Sequence, residues 1–299
     1  MPDLIRVEIR PFMAASLYLT LCAIILCFYD SIKGQVVVPF DESYVTDWGP
    51  EHFTFLDQRR QVQILIDPTS GGGFRSKDAY GSGYFQISLK IPTNAGGIAT
   101  TFYLTSESDN SSGGNHDELD FELLGRNRPP YILNTNIYAQ DSGHREQQFN
   151  LWFDPTYDFH DYGILWNQKQ IVFFIDNIPI RVFKNNDNIT VGAKFPKSPM
   201  YVHASLWNGS QWLGQTDWSR GPFLATYRGF EINGCRYEYS NPQKCESSEY
   251  PWNAPQNWDL TLQQQYVYNI TKNKYIVYDY CTSNLGNEFP ECPTFGSQS

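Results

Sequence analysis

The segment HDELDFELLG, residues 116–125, alternates acidic and apolar side chains with a period of two. Successive side chains of a β-strand point to opposite faces of its sheet. Glu118, Asp120 and Glu122 would therefore share one face, and the leucine and phenylalanine residues between them would share the other. The segment predicts a sandwich strand whose apolar face lies in the core between two sheets and whose opposite face carries three carboxylates.

Short segments of the same type surround this strand between residues 35 and 230. They are rich in β-branched and aromatic residues and are separated by Gly, Pro, Asn and Asp: QVQILIDP, GYFQISLKI, GIATTFYLT, YILNTNIYA, YGILWN, QIVFFIDNIPIRVF and MYVHASLWN. The DNIP tetrapeptide predicts a hairpin turn. We predict an all-β fold, a β-jelly-roll sandwich of two antiparallel sheets over residues 35–230. Residues 231–299 are predicted to form a C-terminal extension with a helix in TLQQQYVYNITKNK and a strand in YIVYDYC.

The N-terminal residues are predicted to be a targeting segment. Arg6 and Arg10 precede an apolar run at residues 12–29, which is the pattern of a secretory signal peptide. We assign residues 1–34 to this peptide, with cleavage within FYDSIKGQ, and expect no stable membrane association afterwards. The run is also long enough to span a membrane, so an uncleaved signal-anchor is the alternative.

Cysteines and sequons agree with secretion. Four cysteines lie after residue 230, and an even number in a secreted chain indicates disulfides. Of the three pairings that four cysteines allow, we predict the nearest-neighbour one, Cys235–Cys245 and Cys281–Cys292, although sequence alone leaves the others open. Each of its loops of about ten residues would contribute roughly 3 kcal/mol in the chain-entropy model. Four N-x-[ST] sequons are candidate glycosylation sites: Asn110, Asn188, Asn208 and Asn269.

Charge and motifs exclude several classes of protein. The chain of 299 residues has a formal net charge of −10, which disfavours nucleic acid and anionic membranes as partners. A neutral carbohydrate is compatible with this charge. The sequence contains no phosphate-binding loop, no dinucleotide fingerprint, no G-x-S-x-G elbow and no H-E-x-x-H zinc motif. We therefore expect no cofactor and no metal, and we expect a monomer.

The three carboxylates have a spacing that suits glycosidic bond cleavage. Positions 118 and 122 lie roughly 13 Å apart along a strand, and the two side chains can lean to a carboxyl separation of roughly 5–6 Å. That separation suits a retaining enzyme, although the roughly 6.5–9.5 Å of an inverting enzyme is not rejected. Asp120 can hydrogen-bond a neighbouring glutamate and influence which carboxyl is protonated. Several aromatic residues are candidates to stack on sugars: Tyr103, Trp207, Trp212 and Trp218.

The acidic row admits three other interpretations. A solvated acidic face would normally carry interleaved Lys or Arg, and none is present in residues 116–125. The second interpretation is that the carboxylates form a Ca²⁺ site. The third is a carbohydrate-binding module without activity, but binding alone does not need three crowded acids.

Residues 116–125 and several further segments resemble the plant xyloglucan endotransglucosylase/hydrolases of glycoside hydrolase family 16. The family signature H-D-E-[IL]-D-F-E-[FL]-L-G is matched in full. Similar segments follow in the same order: REQQFNLWFDPTYDFHDYGILWN, QIVFFIDNIPIRVFKN, SLWNGSQW, TDWSRGPFLATYRGFEINGC and YIVYDYC. The resemblance covers residues 35–292. It implies a secreted enzyme of the cell wall and apoplast, with an open groove that binds a xyloglucan polymer as donor and a xyloglucan chain or oligosaccharide as acceptor.

The same resemblance implies roles for individual residues. Glu118 resembles the nucleophile, Glu122 the general acid/base, and Asp120 the assisting residue between them. Cleavage of the β-1,4-glucan backbone would proceed by double displacement, ending in transfer to another xyloglucan chain end or, as the alternative, in hydrolysis or in transfer on another β-glucan. The implied substrate contacts are Glu122, Tyr103, Asn134, Thr135, Asn136, His144, Arg145, Glu146, Trp207, Gln211, Trp212 and Gly214.

Some of these contacts carry an alternative or lie in segments that depart from the family. For Asn136 and Arg145 the alternative is a structural hydrogen-bonding role. The loop WLGQTDWS is shorter than the common family version, and CTSNLGNEFPEC lacks an arginine that often follows its first cysteine. The contacts to the acceptor are therefore where this chain is expected to differ.

Overall fold

A computed structural model describes residues 38–106, 115–284 and 286–292. The predicted signal peptide and the sequon at Asn110 lie outside these residues. The described residues form sixteen β-strands, three α-helices and seven short 3-10 segments. None of the helices in these ranges is long and apolar enough to cross a membrane.

The elements have the following bounds. The strands are β1 (Tyr44–Trp48), β2 (Phe53–Leu56), β3 (Gln61–Ile66), β4 (Gly72–Ser76), β5 (Tyr80–Lys90), β6 (Ile98–Thr105), β7 (His116–Leu124), β8 (Ile132–Asp141), β9 (Gln147–Asn150), β10 (His160–Trp166), β11 (Gln170–Ile175), β12 (Ile178–Lys184), β13 (Tyr201–Asn208), β14 (Phe223–Arg228), β15 (Ile232–Arg236) and β16 (Ile276–Asp279). The helices are α1 (Phe40–Ser43), α2 (Ser210–Leu213) and α3 (Leu262–Tyr275). The 3-10 segments are Pro50–His52, Trp218–Arg220, Pro242–Glu246, Pro251–Asn253, Pro255–Asn257, Tyr280–Thr282 and Gly286–Glu288.

The strands form two antiparallel sheets. Sheet 1 has the order β1-β4-β13-β6-β7-β8-β9-β16. Sheet 2 has the order β12-β11-β10-β5-β14-β3-β2, and β15 also pairs with β5. Every strand pair is antiparallel. The predicted all-β sandwich of two antiparallel sheets is confirmed, and β7 lies near the middle of sheet 1.

The apolar side of β7 packs against sheet 2, as its alternation predicts. Leu119, Phe121 and Leu123 are fully buried. The Phe121 ring meets Tyr162 of β10 and Phe173 of β11 edge-on, with centroids 5.6 and 5.1 Å apart. Burying such a side chain contributes about 3 kcal/mol. This packing fixes the rotation of β7 and so turns its acidic side away from the core.

The predicted hairpin at DNIP joins β11 to β12. Its two central residues, Asp176 and Asn177, have φ angles of 49° and 63°. Two consecutive positive φ angles are the mark of a type I′ turn, whose twist matches that of the flanking strands, and Asn and Asp tolerate this conformation better than most residues. The turn therefore sets the register between the two strands.

Beyond residue 230 the chain adds to both sheets. Helix α3 has Thr261 as its N-cap, whose side chain forms a capping box with Gln264, and the chain passes directly into β16 at its end. The predicted helix and strand are confirmed. Strand β15 was not predicted, because Gly234 interrupts its pattern. A Cβ at Gly234 would lie 2.6 Å from Tyr80 and 2.9 Å from Phe85, so close packing on β5 requires glycine there.

Both predicted disulfides are present. Cys235 and Cys245 have Cα atoms 5.4 Å apart, and Cys281 and Cys292 have Cα atoms 5.2 Å apart. The first bridge fastens β15 to the 3-10 segment that follows it, and the second closes the loop after β16. Strand β15 joins sheet 2 and β16 joins sheet 1, so residues 231–299 contribute strands to both sheets. The boundary drawn between residues 35–230 and 231–299 remains a prediction.

Candidate active site

The three carboxylates of β7 share the face of sheet 1 that is turned away from the core. Their cross-strand partners are set by the register of the neighbouring strands. On β6, Thr105 faces Glu118, Tyr103 faces Asp120 and Thr101 faces Glu122. On β8, the corresponding partners are Tyr138, Asn136 and Asn134. The acidic row is therefore flanked on both sides by polar and aromatic residues, with no basic residue directly opposite it.

Asp120 is a buried acid with a carboxylate on either side. Its exposed fraction is 7%. Burial raises its pKa well above the ordinary range, and the charges of Glu118 and Glu122 raise it further, whereas Arg181 acts in the opposite sense. A protonated Asp120 donates a hydrogen bond to Glu118. This arrangement agrees with the predicted assisting role of Asp120.

Replacing Asp120 by asparagine is expected to change how stability depends on pH. Because the pKa of Asp120 is raised in the folded state, folded protein keeps a proton that unfolded protein releases. Stability is therefore lost as the pH rises from the ordinary aspartate range towards the raised pKa. Urea unfolding at several pH values from about 4 to about 8 should show this fall in the native chain relative to Asp120→Asn. Parallel curves for the two proteins would contradict the raised pKa.

Glu122 lies at the other end of the row beside an amide. Asn134 Nδ2 donates to Glu122 Oε2 at 2.7 Å. Burial is the main cause that raises the pKa of Glu122; the Asn134 hydrogen bond opposes it, and the charges of Glu118 and Glu146 add to it. A carboxyl with a raised pKa is suited to act as a general acid.

Replacing Asn134 by alanine is expected to move the alkaline limb of the pH–activity profile to higher pH. The amide stabilises the charged form of Glu122, so its loss raises the pKa of Glu122 further and keeps the acid protonated at higher pH. The measurement is the rate against pH for Asn134→Ala, with Asn134→Gln as the control that keeps an amide donor. If the alkaline limb of Asn134→Ala stays in place or moves to lower pH, the expected effect of the Asn134 amide on the pKa of Glu122 is contradicted.

Glu118 is flanked by an imidazole. His116 Nε2 lies 3.5 Å from Glu118 Oε2, and the His116 ring stacks on Tyr138 with centroids 4.8 Å apart. The two residues share a face with Glu118 because His116 is two positions before it and Tyr138 is its partner across the sheet. The stacked ring restricts where the Glu118 carboxyl can lie.

A groove of about 500 Å³ runs beside Glu122 over β8, β9 and β16. Five of its lining residues were predicted as site residues: Glu122, Asn134, Asn136, Glu146 and Trp212. Three others were missed: Tyr138, Gln148 and Tyr278. Alternation provides the signal for two of them, because Tyr138 follows Asn136 by two positions and Gln148 follows Glu146 by two. Tyr278 enters only because β16 pairs with β9.

Tyr103 lies on the other side of Asp120, against β13. Its ring stacks on His203 with centroids 5.1 Å apart, and His203 Nδ1 lies 3.8 Å from Asp47 Oδ2. His203 is the residue directly opposite Tyr103 in the sheet and was not predicted as part of the site. The stack fixes the plane of the Tyr103 ring beside the acidic row.

The predicted contacts after β13 lie on or beside α2. Trp212 is 51% exposed, and its ring is 6.3 Å from that of Trp207. Gln211 is exposed on the same short helix. Gly214 ends the helix with a φ of 90°, a conformation that favours glycine. An exposed tryptophan at the rim of a polar groove is a surface on which a sugar ring can pack.

The structure does not bring Thr135 and Arg145 to the groove. Thr135 is fully buried and accepts a hydrogen bond from Arg181 Nη1, because it lies between Asn134 and Asn136 and points to the opposite face. Arg145 is 3% exposed and pairs with Glu291 at 2.6 Å and with Asp141 at 3.0 Å.

The predicted contacts Asn136 and His144 lie in different environments. Asn136 lines the groove, while its Oδ1 accepts hydrogen bonds from the backbone N–H groups of Ile137 and Arg145. This agrees with the structural alternative for Asn136, and the ion pairs agree with it for Arg145. His144 is exposed in the loop before β9, with a φ of 65°.

A profile of the glycosyl hydrolases family 16 matches residues 40–220. The chain belongs to this family. A Bacillus licheniformis β-glucanase has the same fold, with a TM-score of 0.51 and 22% identity over 62% of this chain and 89% of that one.

Two similar proteins of the family are named as xyloglucan endotransglucosylase/hydrolases. The chain is 46% identical to xyloglucan endotransglucosylase/hydrolase protein 3 of Arabidopsis thaliana, over 85% of this chain and 89% of that protein. It is 40% identical to xyloglucan endotransglucosylase/hydrolase protein A of Phaseolus angularis, over 94% of this chain and 98% of that protein. The resemblance of residues 116–125 to this group is therefore confirmed.

Proposed function

We propose that the chain cleaves the backbone of xyloglucan and transfers the cut end to another xyloglucan chain. The observation that carries the proposal is the acidic row itself, in which Asp120 is hydrogen-bonded to Glu118 and a partly buried Glu122 opens onto the groove. The names of the similar proteins supply the substrate, since they act on xyloglucan.

In the first step Glu118 is the nucleophile. One of its carboxylate oxygens forms a bond to C1 of a backbone glucosyl unit while the bond from C1 to the glycosidic oxygen breaks. Glu122 gives its proton to the departing oxygen, which leaves as the 4-OH of the released chain. Asp120 donates a hydrogen bond to Glu118 and so orients the attacking carboxylate. The product is a covalent glycosyl-enzyme.

In the second step Glu122 acts as the base. It takes the proton of an acceptor hydroxyl, whose oxygen forms a bond to C1 while the bond to Glu118 breaks. A xyloglucan 4-OH as acceptor gives transfer, and water gives hydrolysis. The groove lies on the Glu122 side of the row, next to Trp212 and Tyr278, and therefore suits the leaving chain and then the acceptor.

We further propose that the protein is secreted into the cell wall and apoplast, acts there as a monomer and has no stable association with a membrane. Two disulfides support an oxidising compartment. Asn188, Asn208 and Asn269 are all exposed, as glycosylation would require.

The test supplies xyloglucan polymer together with a labelled xyloglucan oligosaccharide. Label in the polymer demonstrates transfer, whereas new reducing ends without incorporated label demonstrate hydrolysis. If neither product forms, the proposal is refuted. A parallel reaction with a β-glucan that lacks xylosyl branches tests the second candidate substrate. If transfer occurs only in that reaction, the unbranched glucan is the donor and xyloglucan is not.

A further inference from the structure

A second pocket lies on the opposite side of the sandwich from the carboxylates. Along β5, β10 and β11, the residues Phe85, Ile164 and Phe173 point into the main core. Their neighbours Tyr84, Leu165 and Phe174 therefore point to the other face of sheet 2, where they form a small cluster with Trp252 and Leu260. We call the space above this cluster the outer pocket.

The outer pocket has a volume of about 410 Å³. This is within the range of small-molecule sites, roughly 300–1,000 Å³. Its floor comes from sheet 2 and its walls come from β15, the proline-rich segments after it and the first turn of α3. The lining residues are Tyr84, Leu165, Phe174, Asn177, Asn233, Pro251, Trp252, Asn257 and Gln264.

The lining consists of amide and aromatic side chains together with Leu165 and Pro251, and it carries no charge. A charged ligand would lose hydration there without meeting an opposite charge, which is costly. Amide side chains offer two donors and an acceptor each, a combination that matches the paired hydroxyl groups of a sugar. The chemistry of the pocket therefore favours a neutral polyhydroxylated ligand.

Several amides in the pocket have unused hydrogen-bonding capacity. The side chains of Asn177 and Asn233 are exposed and make no hydrogen bond to the part of the chain that the structure describes. Asn257 uses its Nδ2 to bond Pro251 O at 2.7 Å, which leaves its Oδ1 as an acceptor. Gln264 uses its Oε1 in the helix cap, which leaves its amino group as a donor.

The aromatic members are held in fixed positions. Trp252 stacks on Tyr250 with ring centroids 5.0 Å apart, and its Nε1 donates to Ser82 Oγ at 2.9 Å. The Tyr84 hydroxyl donates to Gln86 Oε1 at 2.8 Å, and its ring meets Phe174 at 6.0 Å. Rigid aromatic surfaces beside free amides bind with little loss of side-chain entropy.

We propose that the outer pocket is a second, non-catalytic binding site for a neutral gluco-oligosaccharide segment of the polymer substrate. Its neutral-saccharide chemistry follows from the lining residues, while the choice of a glucan rests on the proposed function. A chain held at this site and at the catalytic groove would be bound more tightly than by either alone, because the second contact is intramolecular.

The test counts binding sites for a xyloglucan oligosaccharide by calorimetry in the inactive variant Glu118→Gln. Two sites per chain are expected, and Asn233→Phe, which fills the pocket, should leave one with an unchanged Kd. Asn177→Gly keeps the positive φ and removes an amide, and it should weaken the second site about tenfold, as loss of a hydrogen bond in a polar site does. Thr54→Phe, exposed on the edge strand β2 and outside the lining, is the matched control and should retain two sites.

A single site in Glu118→Gln would overturn the inference. Two sites of unchanged affinity in both Asn233→Phe and Asn177→Gly would also overturn it. A second site that appears only after enzymatic deglycosylation would also overturn it, because the occupant would then be the protein's own glycan. Transfer measured with a short donor separates the two proposals: if it persists while only one site is found, the outer pocket fails and the proposed function stands.

Discussion

Replacing Glu118 by alanine is expected to abolish both transfer and hydrolysis, with a loss of at least about 10³-fold in rate. Without this carboxylate no bond to C1 can form, so the glycosyl-enzyme does not appear. The fold should survive, because Glu118 lies on the face of β7 turned away from the core and Leu119, Phe121 and Leu123 remain buried. Rates are measured with polymer donor and labelled oligosaccharide acceptor, and Glu249→Ala, an exposed glutamate, is the control.

A chemical readout separates loss of a nucleophile from a general disturbance of the site. Azide can enter the space left in Glu118→Ala and attack C1 of an aryl β-glycoside of the oligosaccharide. Since this is a single displacement from the nucleophile's side, the glycosyl azide should have the α configuration. A β-configured product, or near-normal transfer by Glu118→Ala without azide, would contradict the assignment of Glu118.

Local patterns were sufficient to predict much of the fold. The period-two alternation in residues 116–125 gave the orientation of β7, and Leu119, Phe121 and Leu123 are indeed fully buried. Thr261 and Gln264 lie three positions apart, and this spacing marks the start of α3 before any tertiary contact is known. In each case the physical cause acts over a few neighbouring residues, so it is visible in the sequence.

The parts of the site that were missed depend on contacts distant in sequence. Tyr278 reaches the groove because β16 pairs with β9, across about 130 residues of chain. One of the two ion-pair partners of Arg145, Glu291, lies 146 positions away. Thr135 is a different case: the resemblance implies Asn134, Thr135 and Asn136 together as substrate contacts, but strand alternation sends the middle residue to the opposite face of β8.

Replacing Glu122 by alanine is expected to slow the reaction by an amount that depends on the leaving group. With xyloglucan polymer the departing alkoxide needs a proton, so the loss should be about 10²- to 10⁴-fold. With an aryl donor whose leaving group is a weakly basic phenolate, formation of the glycosyl-enzyme needs little protonation and should be nearly normal. The measurement is the burst of phenol release followed by the steady rate, compared with native enzyme.

The second half of the reaction makes the Glu122→Ala test specific to a general acid/base. Breakdown of the glycosyl-enzyme still requires a base to take the acceptor proton, so the intermediate should accumulate and should be detectable by mass. Azide, which needs no base, should release it as the β-glycosyl azide, the configuration opposite to that expected from Glu118→Ala. Equal slowing with both leaving groups would instead give Glu122 a structural role through its hydrogen bond with Asn134. The pair of azide products thus assigns the two faces of the sugar to the two ends of the acidic row.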